Sequence, residues 1–188
     1  EGLGPMSVQV PKGVVDIMVK EESEAGEAAK EYLSYFQGPI DEWEAPDQRK
    51  LRHIVPENRM RLYDMREIIE TIADKGSVLE IREKFGIGVI TSFIRVEGKP
   101  MGVIANNPHH IAGAIDSDGA DKGARFVQLC DAFDIPILSL MDCPGMMVVP
   151  DVESTALVRH CVRMFNAGAN LTTPMFLNVV RTAYGLGV

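Results

Sequence analysis

Cysteine is scarce and unpatterned in this sequence. Cys130, Cys143 and Cys161 are an odd, widely spaced set, which supports neither a disulfide framework nor a zinc site. A reducing compartment is expected. No apolar run reaches the roughly 18 residues that a membrane-spanning helix requires, and the N-terminus lacks a charged start leading into an apolar stretch. Neither a membrane span nor a secretory signal is therefore expected, and the chain reads as cytoplasmic or as a mature organelle protein. Positive charge is in deficit: 19 Lys and Arg stand against 27 Asp and Glu, a net charge of −8. That is the wrong sign for neutralising nucleic-acid phosphates. Arg49, Lys50, Arg52, Arg59 and Arg61 form a short basic stretch, which reads more simply as a solvated loop than as an anion-binding face. Also missing is a serine in a Gly-x-Ser-x-Gly elbow, so no hydrolytic triad suggests itself.

What is present is an ordinary globular composition, 46% hydrophobic, with clear periodicities. Val14 to Val19 alternates as a strand would. Ala25, Ala28, Ala29, Tyr32, Leu33 and Phe36 then recur at helical spacing until Gly38 and Pro39 end the run. Residues 41–60, with Pro46, Pro56 and many charges, read as a linker. It would separate the close of one domain, 1–40, from a second, 61–188. In the second, Asp64 can cap a helix reaching about Asp74. Two β-rich runs, Gly88 to Val96 and Met101 to Ala105, flank Glu97-Gly98-Lys99-Pro100 as a hairpin. A helix over Asp118 to Asp134 leads to a continuous apolar run, Ile135 to Met141, expected as a strand buried on both faces. A helix from Val152 to Ala167, C-capped by Gly168, leads to another buried strand at Met175 to Val180. The order from residue 88 is β, β, α, β, α, β, an α/β layer structure. The sequence begins without a Met and stops just after a strand, so the fold is expected to be incomplete at both ends.

Turns that follow buried strands are where α/β sheets place ligands. Two stand out: Asp142 to Pro150, and Arg181-Thr182-Ala183-Tyr184-Gly185-Leu186-Gly187. Their glycines suit backbone N–H groups aimed at a developing negative charge, and they equally suit tight turns with no further role. A third polar turn runs from Asn106 through Asn107, Pro108, His109, His110 and Ala112 to Gly113. Its paired histidines invite a metal, but no carboxylate stands at a ligand-like spacing, and no metal is expected. Cys143 could be a nucleophile, although a small buried packing residue is the simpler reading. His160 falls mid-helix and reads as packing.

Three ordered motifs are more specific. Gly123-Ala124-Arg125-Phe126 with Cys130-Asp131-Ala132-Phe133 and Pro136, then Asp142-x-Pro144-Gly145, then Arg181-x-Ala183-Tyr184-Gly185, closely resemble the carboxyltransferase (beta) subunits of biotin-dependent acyl-CoA carboxylases. Propionyl-CoA and acetyl-CoA carboxylases are members of that family. The likeness is strong from Val89 to Val188 and weaker over the first 60 residues. It implies a crotonase-like (ClpP/crotonase) spiral of ββα units and an active site between subunits of a homo-oligomer. It also implies carboxyl transfer from carboxybiotin, borne on a carrier protein, to the α carbon of an acyl-CoA, a reaction of fatty acid metabolism.

In that family one domain holds the acyl-CoA and the other the carboxybiotin, and this chain matches the second. Negative charge developing on the biotin ureido oxygen is met there by backbone N–H groups, so the absence of a side-chain nucleophile agrees with the chemistry. By position the resemblance gives the oxyanion donors to the backbone of Gly185, Leu186 and Gly187. Asn107, Pro108, Ala112, Gly113, Pro144, Gly145, Met146 and Tyr184 would line the biotin pocket. The sequence departs from the family where Thr182 replaces a frequent Lys, Val149 a Gly, and Gly185-Leu186-Gly187 a Gly-Gly-Ala. Two other readings share the motifs: a biotin-dependent acyl-CoA decarboxylase subunit and a non-catalytic crotonase-like assembly module.

Overall fold

The computed structural model describes residues 3–185. In chain order its principal elements are α1 (Glu22–Ser34), α2 (Met65–Ile72), β1 (Leu79–Glu80), β2 (Val89–Val96), β3 (Lys99–Asn106), α3 (Ser117–Ala132), β4 (Ile137–Cys143), α4 (Leu157–Ala169) and β5 (Met175–Ala183). Single helical turns occur at Met6–Gln9, Leu51–Ile54 and Pro150–Glu153. The strands form one sheet in sequence order. Its first two pairings are antiparallel and its last two parallel. None of the described helices is long and apolar enough to cross a membrane.

The expected hairpin forms with a tighter turn than predicted. Glu97 and Gly98 both take positive φ, 51° and 76°, as a two-residue turn between twisted strands requires. The buried Asp74 carboxylate accepts the N–H groups of Glu97 and Gly98 at 3.0 and 2.7 Å. Alternation along β2 then divides the core. Val89 and Phe93 join Ile104, Phe126 and Cys130 on one face, whereas Ile90 and Ile94 join Met65, Ile68 and Ile69 of α2 on the other. Phe93, fully buried, has the rings of Tyr32, Tyr35, Phe36 and Phe126 within 5.2 to 5.8 Å. Helix α1 thus shares this core. Arg95 fixes its C-terminal end by donating to the Ser34 carbonyl at 2.8 Å and the Gly38 carbonyl at 3.1 Å.

Several expectations need correction. Val14 to Val19 is not a strand. Its odd-numbered side chains from Val15 do turn partly inward, but no neighbouring strand pairs with it. The helix expected from Val152 to Ala167 is broken at Ala156, which is left-handed (φ 56°). Just before the break, the Ser154 and Thr155 hydroxyls donate to the carbonyls of Asp151 and Val152 at 2.6 and 2.7 Å, taking acceptors the next helical turn would use. Gly168 lies inside α4, whose C-cap is Asn170. The strand at Met175 is exposed, with Phe176 63% accessible, because β5 is an edge strand here. Of residues 41–60, 41–47 have no regular structure, 48–54 form a 3-10 turn running into a helical turn, and Leu51, Ile54 and Val55 pack against the α2 side of the sheet.

Lys122 lies on α3 with 1% of its surface exposed, and its amine has no hydrogen-bond partner among the described residues. Burial pulls its pKa from 10.5 down to about 8, with Glu80 and Glu83 opposing, and Arg66 and Arg82 adding to, that shift.

Two outcomes follow from this packing. Phe93→Ala is expected to cost about 3–5 kcal/mol in urea denaturation, and to expose the segment around α1 to protease before the rest of the chain. For Lys122 the sign is opposite to that of a salt-bridged group. Between its folded and unfolded pKa values the unfolded chain binds the extra proton, so stability rises with pH across that window. Lys122→Met should therefore stabilise by about 3 kcal/mol below pH 8, with the advantage fading as pH approaches the unfolded lysine value. A stability difference that stays constant from about pH 7 to 10 would contradict this.

Candidate functional site

The C-terminal ends of β3, β4 and β5 meet around one buried carboxylate. Asp142, 1% exposed, lies one residue before the end of β4. Its Oδ2 accepts from the Tyr63 hydroxyl at 2.8 Å and pairs with the Arg181 guanidinium at 3.0 Å. Its Oδ1 accepts from the backbone N–H and the hydroxyl of Thr182, at 3.1 and 2.6 Å. Arg181 also stacks over the Tyr63 ring, 5.0 Å from its centroid, and donates to the Arg61 carbonyl at 2.9 Å. A buried carboxylate needs such neutralisation and hydrogen bonding to remain charged. Burial, and then the bond to Asp142, push the Tyr63 phenol above its ordinary pKa, so it remains a neutral donor.

Asn106, at the end of β3, links this cluster to the next loop. Its Oδ1 accepts from the Asp142 N–H at 3.3 Å and its Nδ2 donates to the Gly113 carbonyl at 2.9 Å. Gly113 (φ 85°) passes so close that a Cβ there would lie 2.2 Å from the Asp142 carbonyl oxygen. No other residue fits that approach without moving the loop.

The turn after β4 is held by backbone bonds on both sides. The Ile115 N–H donates to the Gly145 carbonyl at 3.2 Å, and the Met147 N–H to the Ile115 carbonyl at 3.0 Å. The Tyr184 N–H donates to the Cys143 carbonyl at 3.0 Å. Gly145 takes φ 116°, and a Cβ there would lie 3.1 Å from the Tyr184 carbonyl oxygen. Gly113, Pro144, Gly145, Met146, Tyr184 and Gly185 are thereby gathered at one end of the sheet. Among the described residues the N–H groups of Met146, Val148 and Val149 have no acceptor, and the first of these stands in the Pro144-Gly145-Met146 segment itself.

Other residues singled out from the sequence sit differently. Asn107 is committed to the neighbouring loop, its Nδ2 donating to the Ile87 carbonyl at 2.8 Å and its Oδ1 accepting from the His109 N–H at 3.1 Å. Pro108 is buried beside it, and Ala112 is exposed with a left-handed φ of 53°. Leu186 and Gly187 lie outside the described residues. Cys143 is buried, its thiol pushed up chiefly by desolvation, and its Sγ receives the Gly145 N–H at 3.3 Å. It is a packing group and not a thiolate nucleophile. His110 faces Asp116 at 3.3 Å, and His160 faces Asp121 at 2.8 Å.

Tyr63 escaped sequence reasoning because its partner is 79 positions away. Asp142 was visible as part of a turn and of a family motif, but not as the centre of a buried cluster. A cavity of about 530 Å³ runs beneath the site from Asn106 and Met146 to Met164 and Leu177, and its wall is mainly apolar.

A family model described as the carboxyl transferase domain matches residues 1–188. The uncharacterized carboxylase YngE of Bacillus subtilis (strain 168) is 38% identical over 184 residues, which is 94% of this chain and 36% of that protein. The propionyl-CoA carboxylase beta chain of Roseobacter denitrificans is 43% identical over 132 residues, 70% of this chain and 26% of that one. Among solved structures, a single-chain, multi-domain long-chain acyl-CoA carboxylase matches with a TM-score of 0.96 and 51% identity, over 99% of this chain and 19% of that one. The transcarboxylase 12S hexamer, solved with methylmalonyl-CoA bound, matches with a TM-score of 0.84 and 31% identity, over 93% of this chain and 36% of the other. The chain thus spans about a third or less of the curated relatives it matches.

The site geometry carries its own test. Tyr63→Phe should cost about 1.5–3 kcal/mol, equally at every pH between about 6 and 9 because the phenol does not titrate there. Gly113→Ala should cost about 1–3 kcal/mol by displacing the loop from Asp142. Denaturant titrations in which both variants match the parent would refute this account of the cluster.

Proposed function

The chain belongs to the carboxyl transferase domain family and has its crotonase-like fold, and from that premise we propose that it supplies the biotin-facing half of an acyl-CoA carboxyltransferase site. The observation that carries the proposal is the turn at Pro144-Gly145-Met146. It brings main-chain groups to the strand ends, one N–H of them unpaired among the described residues, and carries no reactive side chain of its own.

When bound, carboxybiotin supplies the carboxyl group and leaves negative charge on its ureido oxygen. The residues here are suited to meet such charge and not to attack it. Asp142 is occupied by its four donors and is no free base. Cys143 is held protonated by burial. What remains is the backbone: the Met146 N–H, with the groups of Gly185, Leu186 and Gly187 that the family resemblance assigns. Fixed N–H groups of this kind need no reorganisation as charge develops. Asp142 is a positioning residue, tying β4 to β5 so that the two glycine turns stay in register.

The acceptor is an acyl-CoA, held by a further domain or by another copy of the protein. The partners are a biotinylated carrier and identical chains, as the 12S hexamer suggests. Relatives named for propionyl-CoA and for long-chain acyl-CoA match this same segment. Short and long acceptors therefore both belong in the assay.

Carboxyl transfer from free carboxybiotin to propionyl-CoA and palmitoyl-CoA is the direct test, comparing this chain with a version extended at both ends. Activity is expected only in the extended form, falling roughly 100-fold or more in Gly145→Val because the donor turn is displaced. An extended enzyme that transfers carboxyl groups at the parental rate with Gly145→Val would remove the site from the reaction.

A further inference from the structure

Away from the strand-end cleft, a cavity of about 310 Å³ lies against α3. Among its lining residues are Asp16, Tyr32, Arg82, Lys122, Arg125 and Gln128. It shares Arg82, Arg125 and Gln128 with a larger groove of about 600 Å³ that adds Lys12 and Arg163. In a chain of net charge −8, this is a local excess of cations. Of the two carboxylates that line them, Asp16 accepts from Arg82 at 2.6 Å, and Asp121 is taken by Arg163 at 2.9 Å and His160 at 2.8 Å; Glu80 and Glu83 also act on Lys122 but neither lines the cavity, and Glu80 is held by Arg66 at 2.7 Å. Lys12, Lys122 and Arg125 have no carboxylate partner among the described residues.

Lys122 is the decisive member. A buried amine without an acceptor is rare in a folded protein and calls for an explanation, an unseen ion being one. The surrounding groups can each turn a donor toward an anion: the Arg82 and Arg125 guanidiniums, which only donate, and the half-buried Tyr32 hydroxyl and the Gln128 amide N–H. A metal cation would find one carboxylate, already paired. An oxyanion would complete every one of these groups.

We propose that this cavity binds a phosphate-class anion, with Lys122 and Arg82 buried in its wall and Arg125 exposed at its edge. Its room exceeds what one phosphate needs, so the anion is either free phosphate or the phosphate of a larger molecule such as the 3′-phosphate of coenzyme A. The site shares no residue with the strand-end cleft, and the proposal stands independently of the carboxyl-transfer reading.

Thermal denaturation of this chain tests it, titrating inorganic phosphate against chloride at matched ionic strength. The expected result is a saturable rise in Tm for the parent, with apparent affinity roughly tenfold or more weaker in Lys122→Met and in Arg125→Met. Arg125 is exposed, so its variant keeps the test valid if Lys122→Met packs poorly. No rise in the parent, or the same rise in all three proteins, overturns the site. Coenzyme A and dephospho-coenzyme A then identify the source. A larger, Lys122-dependent shift with coenzyme A supports the site as one for its 3′-phosphate, and equal shifts with both, alongside a phosphate effect, support free phosphate.

Discussion

The strand-end site depends on one buried charge. Asp142 is excluded from water and would be strongly destabilising without its partners. Tyr63, Arg181 and Thr182 supply them from both sides of the sequence. A buried ion pair of this sort contributes little net stability over an apolar substitute. Its value here is geometric: each partner must arrive at one place for the carboxylate to be tolerated, and their arrival sets β5 beside β4 and the loop carrying Gly113 against both. The turn geometry is a consequence of that requirement.

Much of the architecture was legible in the sequence because it rests on local periodicity. Met65, Ile68 and Ile69 at helical spacing gave α2, and the alternating runs around Glu97-Gly98 gave the hairpin. The failures have physical causes too. Val15, Ile17 and Val19 do turn partly inward, but alternation reports only which side chains face in, and a strand also needs a partner. The break at Ala156 depends on Ser154 and Thr155 hydroxyls competing for carbonyls, a choice that helical spacing does not register. The apolar run at Met175 predicted a buried strand, yet burial depends on what lies above an edge.

The candidate site was legible in part. Glycine-rich turns after apolar runs located it, and the family motifs named Asp142, Gly145 and Tyr184. What they did not reveal was the division of labour. The Asn107 side chain is committed to Ile87 and His109, while Asn106, its neighbour, joins the loop to Asp142. Adjacent residues at a strand end point in opposite directions, and which one faces the cluster depends on register set by the whole hairpin. Tyr63 carries no local signal at all.

The two-residue turn of the hairpin implies an order of assembly. Closing β2 on β3 joins segments next to each other in the chain, whereas bringing Tyr63 to Asp142 closes a loop of 79 residues, and longer closures cost more entropy and come later. The scaffold would accordingly collapse around Phe93 before the polar cluster is complete. A chain arrested midway would hold its sheet and leave an acidic group stranded near apolar surface, so completing the site would double as the final check on folding.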